Sequence, residues 1–430
     1  MNTTNQRMVI HGKIFRYLLM GIAFSLPVYG RVVPTLITLM FINWIIEGRF
    51  RQKYLLVISV PGRRLALGFG LIYLLYLAGL LHTNNFQYGL FDLEVKLSLL
   101  IFPLVFATSG EAVFSNPRRR ELLLVFTAGC LAGSLLFMGR ALVTTIFSHA
   151  ENAFYYGSLS WYFHSSYLSM YYNFAIAVIL CHLITLEWKK NLLWSLLEAL
   201  LVLWFMMLVF LLSSKAGIIC LAGIFIFFTV LLILKRKNWI GGISILAVSA
   251  AIFMITYQLL PGPFQRMQTA GKVIRSDKAN LNQSPESTAE RLSIWKVASE
   301  IIHEHYLLGV GTGDVKDALY VKYAEKGMGS ALSKKLNVHC QYLQTFVALG
   351  ITGFLLLLVT LVFPGILAIR MKDNLYLVFL GVFAFNILVE SMFETQAGVI
   401  FYAFFNAFLF LSMDYAEKVS ANPVEQPGKE

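Results

Sequence analysis

Apolar runs recur along this chain at the length a helix needs to cross a membrane, and that recurrence limits the fold more than any other feature. Spanning about 30 Å of hydrocarbon takes roughly 17–25 helical residues. Runs near that length fall at 14–29, 31–47, 65–82, 97–114, 122–147, 166–186, 192–212, 216–234, 239–257, 342–365, 375–391 and 397–413. Lipid offers no water to an unpaired backbone group, so such runs must be helical. The expected fold is therefore an all-α polytopic membrane protein with about 12 transmembrane helices. Composition agrees. Of the 430 residues, 58% are hydrophobic and only 13% charged, where a soluble domain carries about a quarter charged.

The net charge of +12 resembles a nucleic-acid signal until its distribution is read. Basic residues cluster in short segments between apolar runs, which is the pattern of membrane topology. With the N-terminus in the cytoplasm, the inward segments carry Arg49, Arg51, Lys53, Arg63, Arg64, Arg118, Arg119, Arg120, Lys189, Lys190, Lys235, Arg236, Lys237, Arg370 and Lys372. The short outward segments carry only Arg31, Lys96 and Lys215. Both termini are thus expected in the cytoplasm, and no nucleic-acid partner is implied. The expected division is 1–257 for transmembrane helices one to nine, 258–339 for a large outward loop, 340–413 for helices ten to twelve, and 414–430 for a cytoplasmic tail. Cys130, Cys181, Cys220 and Cys340 show no metal or disulfide spacing.

The outward loop holds eleven Lys/Arg against eight Asp/Glu and has helix signals. Ser287-Thr288-Ala289-Glu290 fits a capping box, with Glu290 expected to bond back to the cap. Ile294, Trp295, Ala298, Ile301 and Ile302 form one helical stripe, with Arg291 at its edge. Gly309-Val310-Gly311-Thr312-Gly313-Asp314 predicts a tight turn into a second helix from Val315 to Glu325. No Gly-Lys-Ser/Thr follows the glycines, so this is no phosphate loop. A folded, partly helical lid is the expectation, with residues 269–285 its most flexible part.

Ionisable groups at the outer face are few, and a polar group at membrane depth defaults to a functional reading. Lys215 lies in the tight hairpin Leu212-Ser213-Ser214-Lys215-Ala216-Gly217, where it either snorkels to water or contacts an anion beside the next helix N-terminus. Arg291 either pairs with surface acids or uses its planar fork on phosphate. His339 sits where the loop re-enters the membrane, and an imidazole can accept a proton from a hydroxyl. The supporting set is His164, Gln341, Tyr342, Glu390 and Glu394. Asp92 and Glu94 are a carboxylate pair of the kind that can hold a divalent metal. Two carboxylates alone do not specify a site, and no metal or cofactor is implied.

Four segments together resemble the bacterial O-antigen ligase and O-antigen polymerase superfamily. They are Leu212 to Gly217; Arg291 to Trp295 continuing through Gly309 to Gly313; His339 to Gln344 with Leu349 to Gly353; and Glu390 to Gly398. The resemblance implies a GT-C-type membrane glycosyltransferase whose active site faces the periplasm from the bacterial inner membrane. It implies transfer of a glycan from an undecaprenyl diphosphate donor to an acceptor hydroxyl. Attack opposite the diphosphate would make the transfer inverting, and the scheme is metal-independent, in keeping with the missing Asp-x-Asp motif. In the ligases that acceptor belongs to the lipid A core, and the product is lipopolysaccharide. The family's hairpin cation then maps to Lys215, its loop arginine to Arg291, and its catalytic histidine to His339. Two departures stand out. Many members have arginine where Lys215 stands, and asparagine where Cys340 follows the histidine. If that asparagine orients the imidazole, Gln341 or Tyr342 must replace it.

Ligase is the favoured branch, with a polymerase joining lipid-linked repeats as the alternative. A twelve-span transporter or flippase is the rival from another class, but related halves are not apparent and mid-span charge is scarce.

Overall fold

The computed structural model describes residues 3–150, 152–185, 192–235 and 287–421, with scattered positions between 237 and 258. It is all-helical among the described residues. In chain order the helices are α1 (Thr3–Val28), α2 (Val33–Glu47), α3 (Phe50–Ser59), α4 (Pro61–Gly68), α5 (Leu71–Gly79), α6 (Phe86–Lys96), α7 (Ser98–Ala107), α8 (Asn116–Ser148) and α9 (Tyr156–Ser160). They continue as α10 (Ser165–Thr185), α11 (Leu192–Leu211), α12 (Lys215–Val230), α13 (Ser287–Glu304), α14 (Val315–Glu325), α15 (Gly329–Ser333), α16 (Gln341–Arg370), α17 (Asn374–Val389) and α18 (Gln396–Ala421).

Nine helical segments of the described residues are long and apolar enough to span a membrane, so the protein is a multi-pass membrane protein. Three of the twelve expected spans are not among the nine. The run at 375–391 folds as α17, an apolar helix of 16 residues. The run at 97–114 folds as α7, only ten residues long, followed by a 3-10 turn at Glu111–Phe114. The run at 239–257 lies largely outside the described residues, as do residues 269–285. The last helix continues to Ala421, past the expected start of the tail at 414.

Burial sorts the helices. The spans at the start of α10 and α18 are 83% and 89% buried, so they form the middle of the bundle. Both are apolar on every side, as a helix surrounded by other helices must be. Phe126 of α8, Phe174 of α10 and Phe405 of α18 interlock there, with ring centroids 4.9–5.6 Å apart. At the periphery, Gly129 and Gly133 of α8 form a small-xxx-small pair. A Cβ at either would stand 2.4–2.5 Å from the Phe24 or Pro27 carbonyl oxygen, so α1 packs there backbone to backbone. At the basic end, Arg119 forks onto both Asp373 oxygens, joining α8 to the cap of α17.

At the opposite end lies the lid, residues 287–339. Its first helix, α13, begins at Ser287 as expected, and Ile294, Ala298 and Ile301 are buried on one stripe. Glu290 accepts from Ser330 at 2.7 Å and pairs with Lys334, tying α13 to α15 and the residue that follows it. The glycine run does more than turn the chain into α14. The long α16 is broken at Gly350 (φ 63, ψ −160), and the break frees carbonyls of the preceding turn. Val310 and Gly311 donate their N–H groups to the Val347 and Ala348 carbonyls, at 2.8 and 3.0 Å. Ile351 donates in return to the Tyr306 carbonyl at 2.9 Å. Positive φ at Gly309 (72°) and Gly311 (100°) permits this docking.

Gly309→Ala therefore destabilises the protein far more than Gly327→Ala. Both glycines have positive φ, but a Cβ on Gly309 meets the Ala348 backbone at 2.5 Å while one on Gly327 meets nothing within 4 Å. The left-handed conformation alone costs about 1–2 kcal/mol, and overpacking at Gly309 adds about 1–3 kcal/mol. Thermal melting of the detergent-solubilised variants measures the difference.

Candidate functional site

Three elements end at one place beside the lid. α17 stops at Val389 and hands the chain to Glu390 in extended conformation (φ −150, ψ 142). A short 3-10 turn, Met392–Glu394, then leads into α18. The lid returns to the bundle through residues 335–340, whose carbonyls are taken one after another. Tyr320 and Tyr323 donate to the carbonyls of Lys335 and Leu336, and the Trp295 indole donates to that of Val338 at 3.0 Å. His339 follows with φ 51, its N–H held by Asn337 Oδ1 at 3.0 Å. A left-handed residue turns the chain sharply there, and α16 begins two residues later.

Glu390 joins these elements. Its Oε1 lies 3.0 Å from His339 Nδ1 and its Oε2 3.3 Å from an Arg291 terminal nitrogen. The carboxylate is buried (8% exposed), while Arg291 and His339 keep 29% and 21% of their side chains open. Burial by itself would raise the Glu390 pKa. The hydrogen bond from His339 and the fields of His339, His164 and Arg291 outweigh it and hold the carboxyl below its usual value. His164, just before α10, belongs to the same electrostatic group. Crowding by protein pushes its pKa down, against the attraction of Glu390 and together with repulsion from Arg291 and His339.

Lys215 is the first residue of α12, which Ser214 caps by accepting the Gly217 N–H at 3.2 Å. Gly217 lets the helix start close against α10, where Asn173 donates to its carbonyl at 2.8 Å. The antiparallel pair α12 and α17 fixes the level of Lys215. Asn386 donates to Cys220 Sγ at 3.4 Å. From that contact Lys215 lies five residues up one helix and Glu390 four up the other. At 1.5 Å per residue both ends sit about 6–8 Å above it. Lys215 and Glu390 therefore mark neighbouring helix ends at the same height.

The remaining expected residues are engaged elsewhere. Gln341 accepts the Phe393 N–H at 2.7 Å and donates to Thr345 at 2.9 Å. Tyr342 donates to the Ala384 carbonyl at 3.1 Å. The partner of the imidazole is thus Glu390, and neither Gln341 nor Tyr342 takes that place. Glu394 pairs with Lys96 at 3.1 Å. Asp92 is buried and Glu94 exposed on α6, so the two carboxylates do not converge. The Glu390 contacts span 51 and 99 residues of chain. The only signal for them in the sequence is an acid at the outer end of an apolar run.

Chemically, the arrangement offers a lysine at a helix start, a guanidinium shared with a carboxylate, and an imidazole whose Nδ1 is occupied. Such an imidazole presents Nε2 outward, the tautomer a proton acceptor needs.

Residues 200–358 match the family model described as Wzy_C, O-antigen ligase. The matched stretch runs from α11 through the lid into α16 and includes Lys215, Arg291 and His339. No curated protein matches the chain.

Because the folded-state pKa of Glu390 lies below its ordinary 4.5, the carboxylate contributes stability above that value. The contribution is lost as pH falls through the depressed pKa. Glu390→Gln is expected to lower the melting temperature most at neutral pH, with the gap from wild type closing below about pH 4.5. Melting curves in detergent between pH 3 and 7 measure it.

Proposed function

We propose, from the O-antigen ligase family domain at residues 200–358 and the site beside it, that this membrane enzyme transfers a glycan from undecaprenyl diphosphate to a lipid A core hydroxyl. In this reading it is a GT-C-type glycosyltransferase of the bacterial inner membrane. Both termini lie in the cytoplasm, and the lid end faces the periplasm. The observation that carries it is the Glu390 carboxylate, which holds His339 and Arg291 together at the level of Lys215.

A sugar on a diphosphate already has a good leaving group. The acceptor oxygen attacks the anomeric carbon opposite the diphosphate, and the bond to the leaving oxygen breaks with inversion. The electron pair leaves with undecaprenyl diphosphate. The acceptor proton passes to His339 Nε2, while Glu390 accepts the hydrogen bond from the Nδ1–H and steadies the imidazolium. Lys215 and Arg291 face the charge gathering on the diphosphate, where fixed cations act without reorganisation. Lys215 suits this task because the N-terminus of α12 adds its own positive field.

The lipid moiety also finds a complement. An apolar groove of about 410 Å³ runs between α12 and α17. Ile219, Gly223 and Phe227 line one wall, at successive four-residue steps from Lys215, and Leu377, Gly381 and Phe385 line the other, rising toward Glu390. A Cβ at Gly223 or Gly381 would meet nothing within 4 Å, so the two glycines widen the groove. An isoprenoid chain fits such a slot with its diphosphate at the cationic rim.

The test is transfer by purified protein in detergent from a defined undecaprenyl diphosphate glycan to a lipid A core acceptor, with chelator present. Glycosylated lipid A core is the expected product. His339→Ala is expected to lose roughly 10²- to 10⁴-fold in rate, and Lys215→Ala or Arg291→Ala roughly 10²- to 10³-fold. Lengthened lipid-linked glycan instead would assign the chain to the polymerase branch, and no transfer at all would sink the reading. Gly223→Leu with Gly381→Leu is expected to raise KM for the long-chain donor while sparing a donor on a short isoprenoid.

A further inference from the structure

Lys96 ends α6 fully buried, and nothing in the proposed chemistry uses it. Its ammonium pairs with Asp92 one turn back, reaches Glu394 Oε1 at 3.1 Å, and lies 4.9 Å from the Tyr76 ring centroid. The carboxylates are 6% and 10% exposed. Asp92 alone would balance the lysine within its own helix. Glu394 is the extra partner, and it belongs to the five-residue turn that carries Glu390.

Four residues of that turn, Glu390, Ser391, Phe393 and Glu394, are each tied to a neighbouring element. Glu390 holds His339 and Arg291. Ser391 Oγ accepts the Cys340 N–H at 3.2 Å, and the Phe393 N–H donates to Gln341. Gln341 continues to Thr345, whose hydroxyl lies 3.0 Å from Tyr76 Oη, and the Tyr76 ring returns to Lys96. The network closes on itself around the segment that bears the imidazole.

Stability gives no sufficient reason for such a cluster. Well-packed apolar side chains in place of a buried ion pair are often as stable or more so. What ions and hydrogen bonds supply here is direction, in a turn with only one 3-10 segment of its own. We infer that Lys96 is a positioning residue: through Glu394 it fixes the turn so that the Glu390 carboxylate meets His339 Nδ1. The inference rests on the proposed transfer reaction, since it assigns Lys96 a part in that chemistry.

Glu394→Leu tests it, because it frees the turn while leaving the Asp92–Lys96 pair balanced. The expected result is a kcat lowered roughly 10²-fold, the loss a displacement of about 1 Å can cause, with donor KM within about threefold of wild type. Glu394→Gln, which keeps an oxygen for Lys96, is expected to recover most of the rate. In the Glu390→Gln background, Glu394→Leu should add little further loss, because both act on one contact. The triple variant Asp92→Leu, Lys96→Met, Glu394→Leu should reproduce Glu394→Leu. Wild-type kcat in Glu394→Leu, or losses that multiply with Glu390→Gln, would overturn the positioning role. A wild-type enzyme without transfer, or an active His339→Ala, would instead overturn the reaction itself.

Discussion

One buried carboxylate shared between an imidazole and a guanidinium organises this protein's lid end. Glu390 brings together the start of α13, the last residues of the lid and the end of α17, three stretches far apart in the chain. An acid at such a site would ordinarily be neutral, because burial penalises its charge. Two histidines and an arginine reverse that balance. The ionised group in turn fixes which imidazole nitrogen faces outward and where the arginine fork lies. Removing it would strand Arg291 and leave His339 without an orienting partner, so the site holds its geometry by mutual dependence.

Much of the fold was legible because lipid imposes a length. Nine of the twelve apolar runs became spans, and α13 and α14 began where the stripe and the glycine run indicated. What resisted reading was whatever depends on tertiary contact. Glu290 stands three residues after Ser287 in a capping pattern, yet it also reaches Ser330 of α15 and Lys334 just beyond it, 40 and 44 residues onward. The α17 helix is short for a span because Glu390 ends it early, drawn to His339. Lys96, one of only three basic residues in the short outward segments, reads as a topological detail. Only the meeting of α6 with the turn before α18 reveals its two acids.

The candidate site divides in the same way. Lys215, Arg291 and His339 could be singled out because cations and imidazoles are scarce at that face. Their relation could not, since the partner of the imidazole lies 51 residues onward. Helix geometry then supplies what no motif contains. The Cys220–Asn386 contact sets α12 and α17 in register, and the register brings a helix-start lysine level with a helix-end glutamate.

The broken turn in α16 carries a consequence for dynamics. By composition, residues 287–339 are a polar insertion of the kind that usually exchanges its amide hydrogens quickly. Here the N–H groups of Val310 and Gly311 are spent on carbonyls inside a membrane helix, and that of Ile351 on the insertion. Neither partner can release its proton to deuterium without undoing the other, so lid and span constitute one cooperative unit in the sense of local unfolding. Their exchange protection follows the bundle core rather than the surrounding water.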